Sequence, residues 1–464
     1  MDCVPSMKSE PVDTSCGVFV SSSEGDDANI DATQGMPVKT LNKAIELAEK
    51  AGRPVYACAE SFAEAVTLPA GLVLYGGLDC GSGWRYGGGG NKTHIEPEAD
   101  AIGLRLAGGG SAATHVEDVV VTAKDATLEG GSSIAALAES GAIVEFVRCE
   151  LVAGNGAAGA KGATPSGSVG PEDPNESSIK GVNGVAACGG NPMAGNPGGN
   201  GTKNALCSTS VGGIGGTGRE MNGEDGTDGA PAGALGLHGA GQPETGGGWS
   251  CGAVGNGQGG DNGADGAPGT GAQGATSLGA LSAAGLVGAS GGPGMPGAPG
   301  QGGGGGGGTK GKAGCNGASG GGGGAGGCGG QGGLGGQAGG SSIALASLGA
   351  TLSFTEVKLT ASNGDSGGDG GEGQAGAIGG NGGNGGLGMG TSAGCSGGQG
   401  GQGGFGGKGG GGRGGHSLGI AYTGGTPPTE GVTIATGAPG KGGAGADAAG
   451  QGADGVKAQT QAFP

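Results

Sequence analysis

Between Gly302 and Gly335 every third residue is glycine, twelve in succession, and between Gly367 and Gly415 sixteen of seventeen positions at the same step are glycine. A period of three matches neither the 3.6 of a helix nor the 2 of a strand. It matches polyproline II, a left-handed extended helix in which every third residue returns to one face. Glycine on that face has no Cβ, so a neighbouring backbone can come close enough for N–H and C=O groups to pair. The stripe therefore reads as a packing surface.

Two other readings compete for the same pattern. Collagen needs glycine in every third place but stiffens its chains with proline, and only 21 Pro occur, none of them between 367 and 415. Many triplets instead read Gly-Gly-X, as in Gly379-Gly380-Asn381 and Gly403-Gly404-Phe405. Two open faces per leg favour an intrachain bundle over a three-chain rope. Disorder is the second competitor, because ordering each glycine costs at least about 1–2 kcal/mol of backbone entropy. The strict frame, the scarcity of Ser and Pro, and cysteines inside the arrays favour order. The frame shift inside Gly302 to Gly308 and the interruption at Thr391 are read as turns.

With 135 Gly among 464 residues and only 3% aromatic residues, the chain cannot bury one ordinary large core. A formal net charge of −18 disfavours nucleic acid and anionic membrane as partners. No run of 18 apolar residues encodes a transmembrane helix. Met1-Asp2-Cys3 reads as a start codon placed before a mature N-terminus. Eleven cysteines scattered singly through polar segments suit disulfides, and hence secretion, better than zinc. Thirteen residues of straight polyproline II would separate Cys315 from Cys328 by ~40 Å at about 3.1 Å per residue. A bond between them therefore requires a reversal near Ser319 to Gly324. Cys58 with Cys80 and Cys188 with Cys207 are the other candidate pairs. Cys149 lies in an apolar strand, where a buried thiol and a bridge are both open, and the odd total leaves one thiol unpaired within the monomer.

Residues 1–36 read as an N-terminal extension and 37–165 as a β-rich unit. Leu41, Ala44, Ile45 and Ala48 follow Pro37 at helical spacing and end near Lys50 to Gly52. Short strands follow at Val55 to Ala59, Ala65 to Leu68, Leu72 to Tyr75, Val116 to Thr122 and Ile143 to Leu151. Few Asn-Gly hairpin signals separate them, which favours stacked parallel rungs. The runs Pro37 to Ile45, Val55-Tyr56-Ala57-Cys58-Ala59, Glu64 to Leu68 and Leu74-Tyr75-Gly76-Gly77-Leu78-Asp79 with Trp84 resemble the opening of secreted right-handed parallel β-helix proteins of the pectate-lyase-like class. That resemblance covers about residues 30–160 and implies a helix capping the first rung. With the glycine arrays, the whole chain is similar to glycine-rich secreted proteins of Gram-negative soil bacteria, a likeness that implies a fold and no reaction.

The rungs recur beyond residue 165. Ser133-Ile134-Ala135, Gly141 to Phe146 and Leu151 to Gly156 return as Ser342-Ile343-Ala344, Gly349 to Phe354 and Leu359 to Gly364, and each copy leads into a glycine array. Weaker copies lie near 277–287 and 416–436, the stronger rungs near 341–361. The unit is one β-coil followed by one polyproline excursion. The expected architecture is thus all-β and irregular: a right-handed parallel β-solenoid with one capping helix and an inserted polyproline II bundle over 166–464. In the solenoid core Phe146 stacks on Phe354, Val144 on Leu352 and Leu151 on Leu359.

Catalytic signals are poor. His94, His115, His238 and His416 are the only histidines, and none lies at metal spacing from another. Gly-x-Gly-x-x-Gly matches arise automatically in such arrays and carry no weight. Asp79, Glu117, Asp118, Lys124 and Asp125 are the residues a polysaccharide lyase or hydrolase could use, with solvated turn charges as the competing explanation. Glu224, Asp225 and Asp228, and again Asp365, Asp369 and Glu372, are the calcium candidates; otherwise no cofactor is implied. The arrays also resemble the snow-flea type of antifreeze protein, although Asn381, Asn384, Gln399, Gln402, Lys408 and Arg413 are long and polar for a face that meets ice. The reading that fits most features is a non-enzymatic secreted surface or extracellular-matrix protein that contacts polysaccharide or copies of itself.

Overall fold

Thr40 opens the α-helix Leu41–Ala51: its hydroxyl accepts the Lys43 N–H, and Gly52, at φ 62°, closes the other end in the left-handed region. Leu41, Ala44, Ile45 and Ala48 are buried on one face, and they pack on the first strands of a three-sheet stack. The computed structural model describes residues 3–8, 10–189, 193–245, 249–251 and 258–464. It is mostly β, with parallel sheets.

Three parallel sheets are filled in rotation. The first takes Val18–Val20, Val55–Cys58, Val73–Asp79, Thr114–Glu117, Ile143–Val147 and Thr351–Thr355, with the short strand Arg85–Tyr86 added antiparallel to Val73–Asp79. The second takes Ser61–Phe62, Thr93–Ile95, Val119–Thr122, Glu150–Ala153, Val357–Ala361 and Val432–Thr436. The third takes Val66–Leu68, Leu104–Leu106, Ser133–Ala138, Ser342–Leu348, Ser417–Thr423 and Lys457–Ala462. Register places Val144 on Leu352, Phe146 on Phe354 and Leu151 on Leu359. The two phenyl rings stack at 6.1 Å between centroids and 11° between planes. Each of these six side chains is buried in the main apolar cluster.

Several sequence expectations are corrected here. Val18–Val20 pairs with Val55–Cys58, so the first 36 residues contribute a strand rather than a mere extension. The apolar runs Val116 to Thr122 and Ile143 to Leu151 are each two strands, bent at Asp118 (φ 58°) and Arg148 (φ 49°). Glu356 (φ 57°) makes the same corner one circuit later, a conformation that costs a non-glycine residue roughly 1–2 kcal/mol and turns the chain from first sheet to second. The segment near 277–287 is no rung. It is an antiparallel hairpin, Ala280–Ser282 with Gly285–Val287, whose Leu281 lies over Ile134, Leu137, Ile343 and Leu418 on the outside of the third sheet.

The remaining chain runs out and back from the sheets in extended legs, which pair with one another rather than with themselves. Gly294 N–H donates to Gly333, Gly297 to Gly330 and Gly300 to Gly327, so the 289–309 leg runs antiparallel to the 317–340 leg. Gly327, Gly330 and Gly333 in turn donate to Gly401, Gly404 and Gly407, so 393–415 runs parallel to 317–340. The same partner leg returns every third residue, the periodicity of polyproline II.

Gly320 to Gly324 show why an unbroken glycine run is needed. Gly320, Gly321 and Gly322 donate to Gly216, Cys395 and Val182, while their carbonyls accept from Gly199, Gly306 and Gly383. Three residues thus meet six different legs. A Cβ would fall 1.9 Å from Gly306 O at Gly320, 2.0 Å from Gly383 O at Gly321 and 2.1 Å from Asn200 O at Gly322. Gly302 to Gly308 is the same situation in the adjoining leg, donating in rotation to the legs around Ala230, Gly324 and Asp261. Neither run is a turn. The reversal lies at Lys312 and Cys315, which bond to each other in both directions, and Thr391 does stand at a reversal, bonding to Gly388. Where these two runs lie side by side inside a ring of other legs, no face is left on which a side chain could stand.

Disulfides tie the legs to one another. Cys188 bonds Cys315, Cys207 bonds Cys328 and Cys251 bonds Cys395. The expected pairs Cys188–Cys207 and Cys315–Cys328 are therefore wrong: the 317–340 leg runs straight through Ser319 to Gly324, and each of its flanking cysteines reaches a peripheral segment instead. Cys58–Cys80 and Cys3–Cys16 secure the N-terminal end, and Cys149 is a buried free thiol. The three bundle bonds close loops of 127, 121 and 144 residues, each removing about 4–5 kcal/mol of unfolded-chain entropy in the loop-closure picture. A net ~1 kcal/mol per hydrogen bond only offsets the ordering cost of each glycine, so these crosslinks weigh heavily in the balance.

Candidate interaction face

The densest titratable cluster sits at the corner between first and second sheets. Arg148 bonds both Glu117 and Asp118, and His115 bridges Glu117 at 2.9 Å and Glu145 at 3.0 Å. Burial alone would raise the Glu117 carboxyl. Hydrogen bonds from His115, Ser6 and Arg148 outweigh it and hold the group at about 2. Burial would lower His115, but the Glu117 and Glu145 carboxylates bonded to its ring outweigh it and raise the group. Arg148 also lies 5.8 Å from the centroid of the Tyr86 ring, whose hydroxyl burial pushes up to about 12. A carboxylate locked in ion pairs at about 2 is badly matched to accept a proton near neutrality. The cluster holds two strand corners together.

The other groups that a lyase or hydrolase could use are dispersed. Asp79 accepts from Ser82 N–H, Lys124 pairs with Glu98, and Asp125 accepts from Asn155 N–H. The calcium candidates are likewise engaged one by one: Glu224 with Arg219, Asp225 with Gly241 N–H, Asp228 with His238, Asp369 with Ala444 N–H and Glu372 with Lys408. Among the described residues no group of three His, Cys, Asp or Glu is placed to hold a metal ion. Asp and Asn instead do a task that composition hid, capping backbone N–H groups that bond a side chain of the adjoining leg instead of its carbonyl. Asn262 and Asp265 cap Gln399 and Gln402, and Asn183 caps Asn384. An Asx ladder, Asp125 to Asn155 to Asn363 to Ala438, does the same where legs leave the sheets.

The most regular exposed feature is the outer face of the paired legs 363–388 and 393–415. Gly400, Gly403, Gly406 and Gly409 donate to Gly380, Ala377, Gln374 and Gly371, which fixes the legs antiparallel. Every third residue points outward: Glu372, Ala375, Ile378, Asn381 and Asn384 on one leg, Lys408, Phe405, Gln402, Gln399 and Ser396 on the other. Lys408 Nζ meets Glu372 Oε1 at 2.8 Å across the furrow, and Phe405 is 57% exposed. Of the polar residues singled out in sequence, Asn381, Asn384, Gln399, Gln402 and Lys408 share this face. Arg413 does not, being 8% exposed with its guanidinium on the Thr276 carbonyl.

No protein-family model matches this chain, and no curated protein matches it. Among the described residues no helix is long and apolar enough to cross a membrane. Five disulfides are consistent with an oxidising setting, such as the outside of a cell.

Proposed function

We propose that this protein is a secreted, non-enzymatic surface or matrix component, in which a right-handed parallel β-solenoid of the pectate-lyase-like kind anchors a polyproline II bundle that makes adhesive or spacing contacts. The observation that carries the reading is the outer face just described, a ladder of mostly polar side chains, with Ile378 and Phe405 among them, repeating every three residues, roughly 9 Å at ~3.1 Å per residue. Such a ladder offers many equivalent weak contacts to a repeating partner, a polysaccharide or a surface of identical copies, and multivalency converts these into retention. The carboxylates available for lyase chemistry are consumed in corner ion pairs and caps, which supports a structural role.

Retention on immobilised acidic and neutral polysaccharides, together with sedimentation velocity over a thousandfold concentration range, tests the proposal. Retention, or reversible self-association, is the expected result. A protein that sediments as a monomer throughout and passes every glycan matrix would remove the reading, and turnover of any of those polysaccharides would replace it.

A further inference from the structure

The furrow between legs 363–388 and 393–415 is filled for part of its length by the chain itself. Residues 437–445 lie in it, parallel to the first leg. Gly364, Gly367 and Gly370 donate to the carbonyls of Ala438, Lys441 and Ala444 at 3.0, 2.8 and 2.8 Å. Gly440 and Gly443 donate to Gly415 and Gly412. The seat demands glycine: a Cβ would lie 1.8 Å from Asp365 O at Gly440 and 2.0 Å from Gly368 O at Gly443. At Gly445 the chain turns back, with Asp447 accepting the Gly450 N–H.

The furrow does not end there. Beyond the Glu372–Lys408 bridge, the N–H groups of Gly376, Gly379 and Gly382 continue the row of donors, and the carbonyls of Gly406, Gly403 and Gly400 continue the row of acceptors. Among the described residues none of these six groups has a protein hydrogen-bond partner. The floor is the same as under the seated leg: an ideal Cβ on Gly376, Gly379 or Gly382 meets a 393–415 carbonyl oxygen at 2.0–2.1 Å, as one on Gly367 does at 2.2 Å. By contrast, the neighbouring furrow is plugged by Asn262 and Asp265.

We propose that this open stretch is a docking site for an extended Gly-x-x segment of another protein, laid down as residues 437–445 are and bonded through its backbone. It is the polyproline counterpart of adding a strand to a sheet edge. The outer legs of a second copy do not qualify, since they turn their glycines inward and their side chains outward. The inference rests on the bundle being a display element, and it names the partner of this furrow; Ala375, Phe405, Ile378, Gln402, Asn381 and Gln399 rim it.

The test is an NMR titration of the full chain with a blocked peptide carrying residues 437–445 twice in tandem, against a control peptide with the glycines equivalent to Gly440 and Gly443 replaced by alanine. The expected result is amide shifts and slowed exchange at Gly376, Gly379 and Gly382, with at least tenfold weaker binding of the control. No shift at millimolar peptide, equal binding of both peptides, or shifts elsewhere on the bundle would overturn the proposal. Glycan retention and sedimentation are unaffected by this outcome, so loss of the docking site and loss of the adhesive role remain separable.

Discussion

Substituting Gly323 by alanine tests the bundle at its centre. Its Cβ would stand 1.9 Å from Gly303 O, 2.6 Å from Gly303 C and 3.0 Å from Gly213 N. A relaxed carbon–oxygen contact is about 3.3 Å, so the two central legs must separate by roughly 1.4 Å. That movement breaks the bonds Gly303 to Gly324, Gly306 to Gly321 and Gly323 to Gly213, now 2.9, 2.9 and 2.8 Å. Three lost bonds at about 1 kcal/mol each, with buried groups left unpaired at about 1–3 kcal/mol in all, give a destabilisation of about 4–6 kcal/mol. The control lies in one of the same legs. A Cβ on Gly292 meets nothing nearer than 3.7 Å, so Gly292→Ala should be neutral or stabilise by about 0.4–1 kcal/mol through the unfolded chain. Differential scanning calorimetry of the two variants checks this. Equal unfolding temperatures would refute the close-packed geometry, because composition is changed identically in both.

Peptide mapping under non-reducing conditions should recover Cys188 with Cys315 and Cys207 with Cys328; a Cys315–Cys328 fragment would contradict the straight 317–340 leg. Phe354→Ala should cost about 3–5 kcal/mol, since its ring is buried against Phe146, and chemical unfolding with a loss under 1 kcal/mol would speak against that packing. Glu117, depressed from 4.5 to about 2, contributes stability that is complete above pH 4.5 and is lost as pH falls towards 2. His115, raised above 6.5, contributes stability that is complete below pH 6.5 and fades as pH rises through its folded value. Unfolding titrations of Glu117→Gln and His115→Gln should each lose the corresponding slope, and unchanged slopes would show the corner is not coupled to folding.

Much of this organisation was legible because its causes are local. The period of three marks legs that touch through glycine, and the recurrence of Ser133 to Gly156 at Ser342 to Gly364 marks circuits that stack in register. What misled was glycine itself. An uninterrupted run such as Gly302 to Gly308 resembles a break in the frame, yet it marks the place where all three faces of a leg are covered. Asp118 and Arg148 hide corners inside apolar runs, because left-handed non-glycine residues carry no composition signal. Near 277–287 the run Ser-Leu-Gly matches a rung, but Gly279 and Gly285, at φ 96° and 104°, fold it into a hairpin. Disulfide partners depend on which peripheral leg passes each central cysteine, a property of the whole packing that spacing along the chain does not encode. The furrow beyond residue 445 was out of reach for the same reason, being defined by where a leg stops.

The most direct measurement is residue-resolved amide exchange over Gly302 to Gly308 and Gly320 to Gly324 in the oxidised protein at neutral pH. Interleaved legs predict protection at each of these glycines comparable to that of the buried strand Ser342–Leu348, with collapse of protection on disulfide reduction. Exchange at the rate of an unstructured glycine peptide, with the strands still protected, would contradict the bundle outright.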